Sequence, residues 1–162
     1  MQDPDDLQPD ISPVKGSWWR PSYILKRDWW AYWKDEDGRQ LRALVPRNLR
    51  LDGSSEWILI GLLGIFPLGG LIALLFRLGA DGPHRAAAVL HDWVYGCKGD
   101  IEYQVLVRGT WLTHTGLDRS EADWAFRSLA IDGGLLPWQA WPRWAALRIV
   151  ARPWWGRLPP AG

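Results

Sequence analysis

The sequence predicts an α+β fold, in which an N-terminal antiparallel β-hairpin or small sheet precedes a three- to four-helix bundle with an inserted hairpin. Three observations support this prediction. Short aromatic and β-branched runs come first, and the Asp37-Gly38 dipeptide joins two of them, which is a hairpin signal. Longer segments with helix-starting and helix-ending residues follow from residue 83 onward. A second pair of β-like runs, 101–107 and 110–113, separates two of these helices.

The chain of 162 residues is predicted to form a single domain with two short extensions. Residues 1–17, which are polar and contain three prolines, should be an extended arm that is ordered only when a partner holds it. The domain should cover 18–156, and 157–162 should be a tail. Its parts are a β-rich segment at 18–56, an interrupted apolar segment at 57–80 and a helical region at 83–152, with the inserted hairpin at about 98–115.

Helix boundaries follow from proline, glycine and capping residues. Pro83 suits a first helical turn, and Gly96 suits a helix end. Asp118 is followed three residues later by Glu121, which predicts a capping box. The predicted helices therefore cover Pro83 to Tyr95, the residues after Asp118 to Ile131, and Pro137 or Pro142 to about Ala151.

Composition limits the function classes. Nineteen Lys and Arg balance eighteen Asp and Glu, so overall charge does not favour nucleic-acid binding. After Asp132 there is no acidic residue, and the basic, Trp-containing end could contact lipid head groups or simply be solvated. The single Cys97 excludes an intrachain disulfide and is typical of a reducing cytoplasm, where we expect a structural thiol.

Fourteen tryptophans are far more than a chain of this size usually contains. They cluster near both ends of the chain, and a small core does not readily hide them all. We therefore expect some of them at an interface. The partners considered are other protein chains or a second copy of this chain, with membrane-surface contact left open.

The segment Trp57–Phe76 contains no charged residue and would span about 30 Å as one continuous helix. A transmembrane helix is therefore one interpretation. Pro67 with Gly69 and Gly70 favours the other, two buried or interface segments joined by a break. The run begins too late to be a signal peptide.

Two helix motifs form a candidate site. His91 and Tyr95 are four residues apart and share a helix face, with Asp92 beside them, and Arg119 and Asp123 are four apart on the next helix. If these helices pack antiparallel, Asp123 can reach the His91 ring. One interpretation is a water-activating dyad, with His91 as general base and Asp92 as metal ligand. The other, which the spacings favour, is a buried network that locks the two helices together.

The motifs also carry a family resemblance. The segments concerned are Val45-Pro46, Asp52 with Ser54-Ser55, AAAVLHDWVY, DRSEADWAFRSLAIDGG and WAALRIVARPWWG. In this order they resemble the phage and bacterial family called domain of unknown function 1353, over about Leu41 to Gly156. The resemblance implies a phage or prophage origin and these shared polar residues: Asp52, His91, Asp92, Tyr95, Arg119 and Asp123. The chain departs from the family in its long apolar run and in an insertion of about eighteen residues from Lys98 to Thr115.

The two helix motifs also resemble, more locally, those of secreted phospholipases A2. That resemblance implies His91 as the general base, Asp92 as a calcium ligand, and Tyr95 with Asp123 as their support. The disulfides of those enzymes and a convincing calcium loop are absent from the sequence. No cofactor is therefore assured, and calcium is the one considered.

The favoured hypothesis is a particle- or tail-associated structural or interaction component that buries Trp-rich surfaces against partner chains. With a phage origin, the expected partners are other phage structural proteins or a second copy of this chain. The expected locations are the host cytoplasm during synthesis and then the virion. The alternative is a lipid or ester hydrolase with a phospholipase A2-like mechanism. The exposure of His91 and Asp92 discriminates between them, because a hydrolase needs both side chains in an open cleft.

Overall fold

A computed structural model describes residues 8–14, 22–51 and 85–156, and it confirms the α+β class. These residues contain seven strands and three α-helices. The elements are β1 (Ile11–Val14), β2 (Ser22–Leu25), β3 (Trp29–Lys34), β4 (Gln40–Val45), β5 (Arg50–Leu51), α1 (Arg85–Gly96), β6 (Glu102–Val107), β7 (Thr110–Thr115), α2 (Arg119–Asp132), α3 (Pro137–Val150) and a short 3-10 helix (Arg152–Trp154).

The smaller sheet has the order β1-β2-β5, and both pairings are antiparallel. Its edge strand β1 lies within the segment that was predicted to be an extended arm ordered only by a partner. In the structure β1 pairs with β2 of the same chain, with Ile11 opposite Leu25. Leu25 is completely buried, so this pairing attaches the start of the described chain to the core. Pro13 is tolerated because an edge strand needs hydrogen bonds on one side only.

The larger sheet has the order β3-β4-β6-β7 and is antiparallel throughout. The hairpins at Asp37-Gly38 and Arg108-Gly109 lie where the sequence predicts them. Arg108 and Gly109 both have positive φ, 49° and 82°, as a tight two-residue hairpin turn requires. The second hairpin lies between α1 and α2 in chain order, as predicted. Leu41 of β4 pairs with Val105 of β6, so this hairpin extends the N-terminal sheet.

The helices begin and end close to their predicted limits. The capping box of α2 is present: the Asp118 carboxylate accepts a bond from the Glu121 amide at 2.8 Å, and Glu121 accepts from the Asp118 amide at 2.8 Å. Helix α3 begins at Pro137, so the first of its two predicted starts is the right one. Pro142 then falls inside the helix, on its exposed side.

The main core lies between the larger sheet and the helices. Inward residues alternate along β3 and β4 and meet small residues of α1 and α2: Trp29, Ala31, Trp33, Leu41, Ala43, Val45, Ala87, Ala122 and Ala125. The small helix residues allow the backbones to approach closely. One hydrogen bond, from the Lys34 amide to Ser128 Oγ at 3.1 Å, also joins β3 to α2.

None of the helices in the described parts of the chain is long and apolar enough to cross a bilayer. The segment Trp57–Phe76, for which the sequence leaves a transmembrane and a buried interpretation open, lies outside the described residues.

Candidate functional site between the first two helices

The structure brings His91 and Tyr95 of α1 together with Asp123 of α2. The two α1 residues are one helical turn apart, so their rings lie over one another, with centroids 4.0 Å apart. Phe126 of α2 contacts the His91 ring edge-on, with centroids 5.6 Å apart. We call His91, Asp92, Tyr95 and Asp123 the polar cluster. It is the juxtaposition on which both interpretations of the sequence depend.

Asp123 is the centre of the polar cluster and is completely buried. Its Oδ1 accepts a hydrogen bond from the Tyr95 hydroxyl at 2.6 Å and lies 3.5 Å from His91 Nε2. Its Oδ2 lies 3.5 Å from a guanidinium nitrogen of Arg148, which comes from α3. The buried carboxylate therefore has a positive or hydrogen-bonding group on each side, which is what makes its burial tolerable.

His91 lies between two carboxylates. Its Nε2 faces Asp123, and its Nδ1 lies 3.8 Å from Asp92 Oδ1. Neither ring nitrogen makes a well-aligned hydrogen bond within the described residues. The contacts are therefore ion-pair contacts, which are strong when the imidazole is protonated.

The electrostatic environment favours this protonated form. Burial alone would lower the pKa of His91, but the carboxylates of Asp123 and Asp92 outweigh it, so the pKa is raised above its ordinary value. The pKa of the Tyr95 hydroxyl is also raised, first by burial and then by its hydrogen bond to Asp123. While it is protonated the imidazole cannot accept a proton, and in that form it makes an ion-pair contact with each of the two carboxylates.

The polar cluster is closed to solvent. The exposed fractions of His91, Asp92 and Asp123 are 3%, 6% and 0%. A hydrolase needs both His91 and Asp92 in an open cleft, and the described residues do not form one there. As it stands, the arrangement can hold α1 against α2, and it offers a substrate no direct access to the ring.

The remaining predicted site residues have different positions. Arg119, which lies one helical turn before Asp123 on α2, donates from Nη2 to the carbonyl oxygen of Arg148 at 2.8 Å and so links α2 to α3. Asp52 lies outside the described residues. Arg148 was not predicted for the site, because no local signal connects it to a cluster on two other helices. The sequence contains no acidic residue after Asp132, which indicated only that an acidic partner of Arg148 must come from an earlier part of the chain.

Two further chemistries receive no geometric support. Within residues 8–14, 22–51 and 85–156, no group of three or more His, Cys, Asp or Glu is arranged to hold a metal ion. Asp92 alone does not provide a calcium site. Burial raises the pKa of the Cys97 thiol, and the charge of Asp100 raises it further, which makes this cysteine a poor nucleophile.

A second feature of the helical layer is the outer face of α3, which is apolar and exposed. We define it by the residues that share this side of the helix: Trp138, Trp141, Pro142, Ala145 and Ile149. Its exposed fractions reach 62% at Trp138, 57% at Trp141 and 79% at Ile149. An amphipathic helix normally turns its apolar side inward, so this face is a candidate interface.

Comparison with known proteins supports the family resemblance. Residues 72–147 match the family model described as "Protein of unknown function (DUF1353)". The matched part includes the polar cluster and most of α3, and it excludes Asp52. No curated protein and no solved structure matches the chain.

Proposed function

We propose that this protein is a structural or interaction component, encoded by a phage or prophage, that binds another protein chain through the outer face of α3. One observation carries the proposal: four large apolar side chains at or beside that face, Leu136, Trp138, Trp141 and Ile149, are more than half exposed. Trp is enriched where interfaces form, because it buries much area and retains one hydrogen-bond donor. A partner chain would remove this surface from water.

The polar cluster supports the same function indirectly. Its buried ionic contacts join α1, α2 and α3 through His91, Asp123 and Arg148. A rigid helical layer presents its outer face without further ordering, which reduces the entropic cost of binding. The phage origin rests on the family resemblance, and incorporation into the particle or tail is the role that we infer from it.

The test is site-specific photo-crosslinking in cells that produce the complete set of phage proteins. A photoreactive phenylalanine analogue would replace Trp141, and a matched variant would carry it at the exposed Asp132 on the neighbouring helix. We expect position 141 to crosslink to one defined phage protein or to a second copy of this chain. Equal crosslinking patterns at positions 141 and 132, or no crosslink at 141, would contradict the proposal.

A lipid or ester hydrolase remains the second candidate, because one specific observation favours it. Tyr95 donates a hydrogen bond to Asp123 Oδ1, His91 Nε2 lies 3.5 Å from the same oxygen, and His91 Nδ1 lies 3.8 Å from Asp92 Oδ1. In this candidate His91 is the base, Asp123 and Tyr95 orient it, and Asp92 is the calcium ligand. No step is assigned to calcium, because the described residues do not provide a ligand set.

The hydrolase is tested by phospholipid and ester turnover with and without calcium. Wild type would be compared with His91→Ala and Asp92→Asn, and with His114→Ala as a control, because His114 is exposed and lies outside the polar cluster. Turnover lost in the first two variants and kept in the control would favour hydrolysis. Equal rates in all four proteins would remove this candidate.

A further inference from the structure

A cavity of about 360 Å³ lies between the β3–β4 turn, α2 and α3. Its size is within the range of small-ligand sites. It lies on the flank of α3 and is separate from both the polar cluster and the outer face of α3, although Arg148 borders it. Neither the contacts of the polar cluster nor the proposed protein interface explains why the chain has this cavity.

The walls of the cavity are aromatic. Trp33 of β3, Trp124 of α2 and Trp144 of α3 all line it. Trp124 and Trp144 meet edge to face, with ring centroids 6.3 Å apart and planes at 88°, so their indole faces point in different directions. Indole faces attract cations. Trp124 makes one such contact within the chain, because the Arg127 guanidinium lies 4.6 Å from its ring centroid.

The charged side chains that line the cavity also favour a cation. Four carboxylates, from Asp35, Glu36, Asp37 and Glu121, face the guanidinium groups of Arg39 and Arg148, so negative charge is in excess by two. Arg39 is engaged with two of these acids, at 2.6 Å from Asp35 and 3.3 Å from Asp37.

Arg148 is also directed partly away from the cavity, since it lies 3.5 Å from the buried Asp123. The carboxylates of Glu36 and Glu121 therefore dominate the remaining field. An anionic ligand would be repelled, and a cationic ligand would be attracted.

We propose that this cavity binds an organic cation of the ammonium or guanidinium type. The aromatic walls would contact its charged head and alkyl stem, and the carboxylate rim would supply the opposite charge. The cation could belong to a free small molecule or to a Lys or Arg side chain of another chain. This inference does not depend on the proposed function.

The experiment is an NMR titration of the full chain that follows the indole N–H resonances, with those of Trp124 and Trp144 assigned from single Trp→Phe variants. The probes are n-butylammonium, the capped peptide acetyl-Gly-Lys-Gly-amide, and butyrate as the anion of matched size. We expect both cationic probes to shift these two resonances and butyrate to leave them unchanged. Peptide binding at least tenfold tighter than butylammonium identifies a side chain as the ligand, and equal affinities identify a free small molecule.

Variants make the result specific. Glu36→Gln removes one exposed rim charge without changing the core and should weaken butylammonium binding about fivefold. Asp132→Asn, an exposed carboxylate on α2 outside the cavity, should leave it unchanged. The proposal is overturned if butylammonium shifts neither resonance, if butyrate shifts them equally, or if the two variants have the same effect.

Discussion

The polar cluster and the outer face of α3 are both unusual in burial. Packed helices normally bury apolar side chains and expose charged ones, and these two regions do the opposite. Between α1 and α2, an imidazole and two carboxylates are almost completely buried, whereas Trp138 and Ile149 on α3 are mostly exposed. The difference lies in where each surface finds its partners. Groups in the polar cluster contact one another and Arg148 within the chain. The large side chains of the outer face are instead more than half exposed to solvent. The polar cluster therefore contributes to stability, and the outer face of α3 is available for binding.

The largest effect should follow from removing the centre of the polar cluster. Asp123→Ala would leave Arg148 without the carboxylate it lies against, His91 with Asp92 as its one remaining carboxylate, and the Tyr95 hydroxyl without its acceptor. It should lower the free energy of unfolding by about 3–5 kcal/mol. Urea denaturation measures it. Asp132→Ala, at the exposed end of the same helix, is the control. A loss as small as that of the control would show that the cluster does not stabilise the fold.

Substitutions at two positions on α3 would compare how much its inner and outer faces contribute to stability. Leu147 is 6% exposed and Ile149 is 79% exposed. Leu147→Ala should cost about 2–4 kcal/mol through a core cavity, and Ile149→Ala should stay within about 0.5 kcal/mol. Thermal and urea unfolding measure both. A large loss at Ile149 would mean that another part of the same chain covers the outer face.

The pH dependence of stability should reveal the protonated His91. Because its pKa is raised in the folded state, the stabilisation is present in full below the unfolded pKa, near 6.5, and is lost as the pH rises through the folded pKa. The stability advantage of wild type over His91→Gln should decrease above pH 6.5, by at most about 1.4 kcal/mol per pH unit. Urea unfolding from pH 5 to pH 9 measures it. An advantage that grows with pH would show that His91 is buried in its neutral form.

A small loss of stability is also predicted for a substitution at the start of α2. Asp118→Ala removes the side-chain acceptor for the Glu121 amide and should cost about 1 kcal/mol. Asp118→Asn, which keeps an acceptor oxygen, should recover most of this loss. If alanine and asparagine were equivalent in urea unfolding, the capping box would contribute nothing measurable.

Much of the local structure was predictable from the sequence, because its signals are local. Asp118 with Glu121 marked the start of α2, and the Asp-Gly and Arg-Gly dipeptides marked two hairpin turns. The spacing of His91 and Tyr95 predicted a shared face, and the structure has their rings in contact. The catalytic and metal roles assigned to these residues stay predictions, since geometry alone does not test them.

What could not be predicted depends on contacts between distant residues. The pairing of β4 with β6 joins Leu41 to Val105, and no pattern within either strand indicates that partner. Arg148 reaches Asp123 from a third helix, and its helical position alone did not indicate this. The sequence of β1 likewise gave no sign that β2 of the same chain would pair with it.

Arg148 determines how a force on α3 would reach the rest of the molecule. Its guanidinium lies against Asp123, and its carbonyl oxygen accepts a bond from Arg119, so two residues of α2 hold one residue of α3. A force applied to the exposed tryptophans of α3 would therefore be transmitted to the interior of the molecule. Any assembly that pulls on this helix would load buried ionic contacts before it could separate the helix from the rest of the chain.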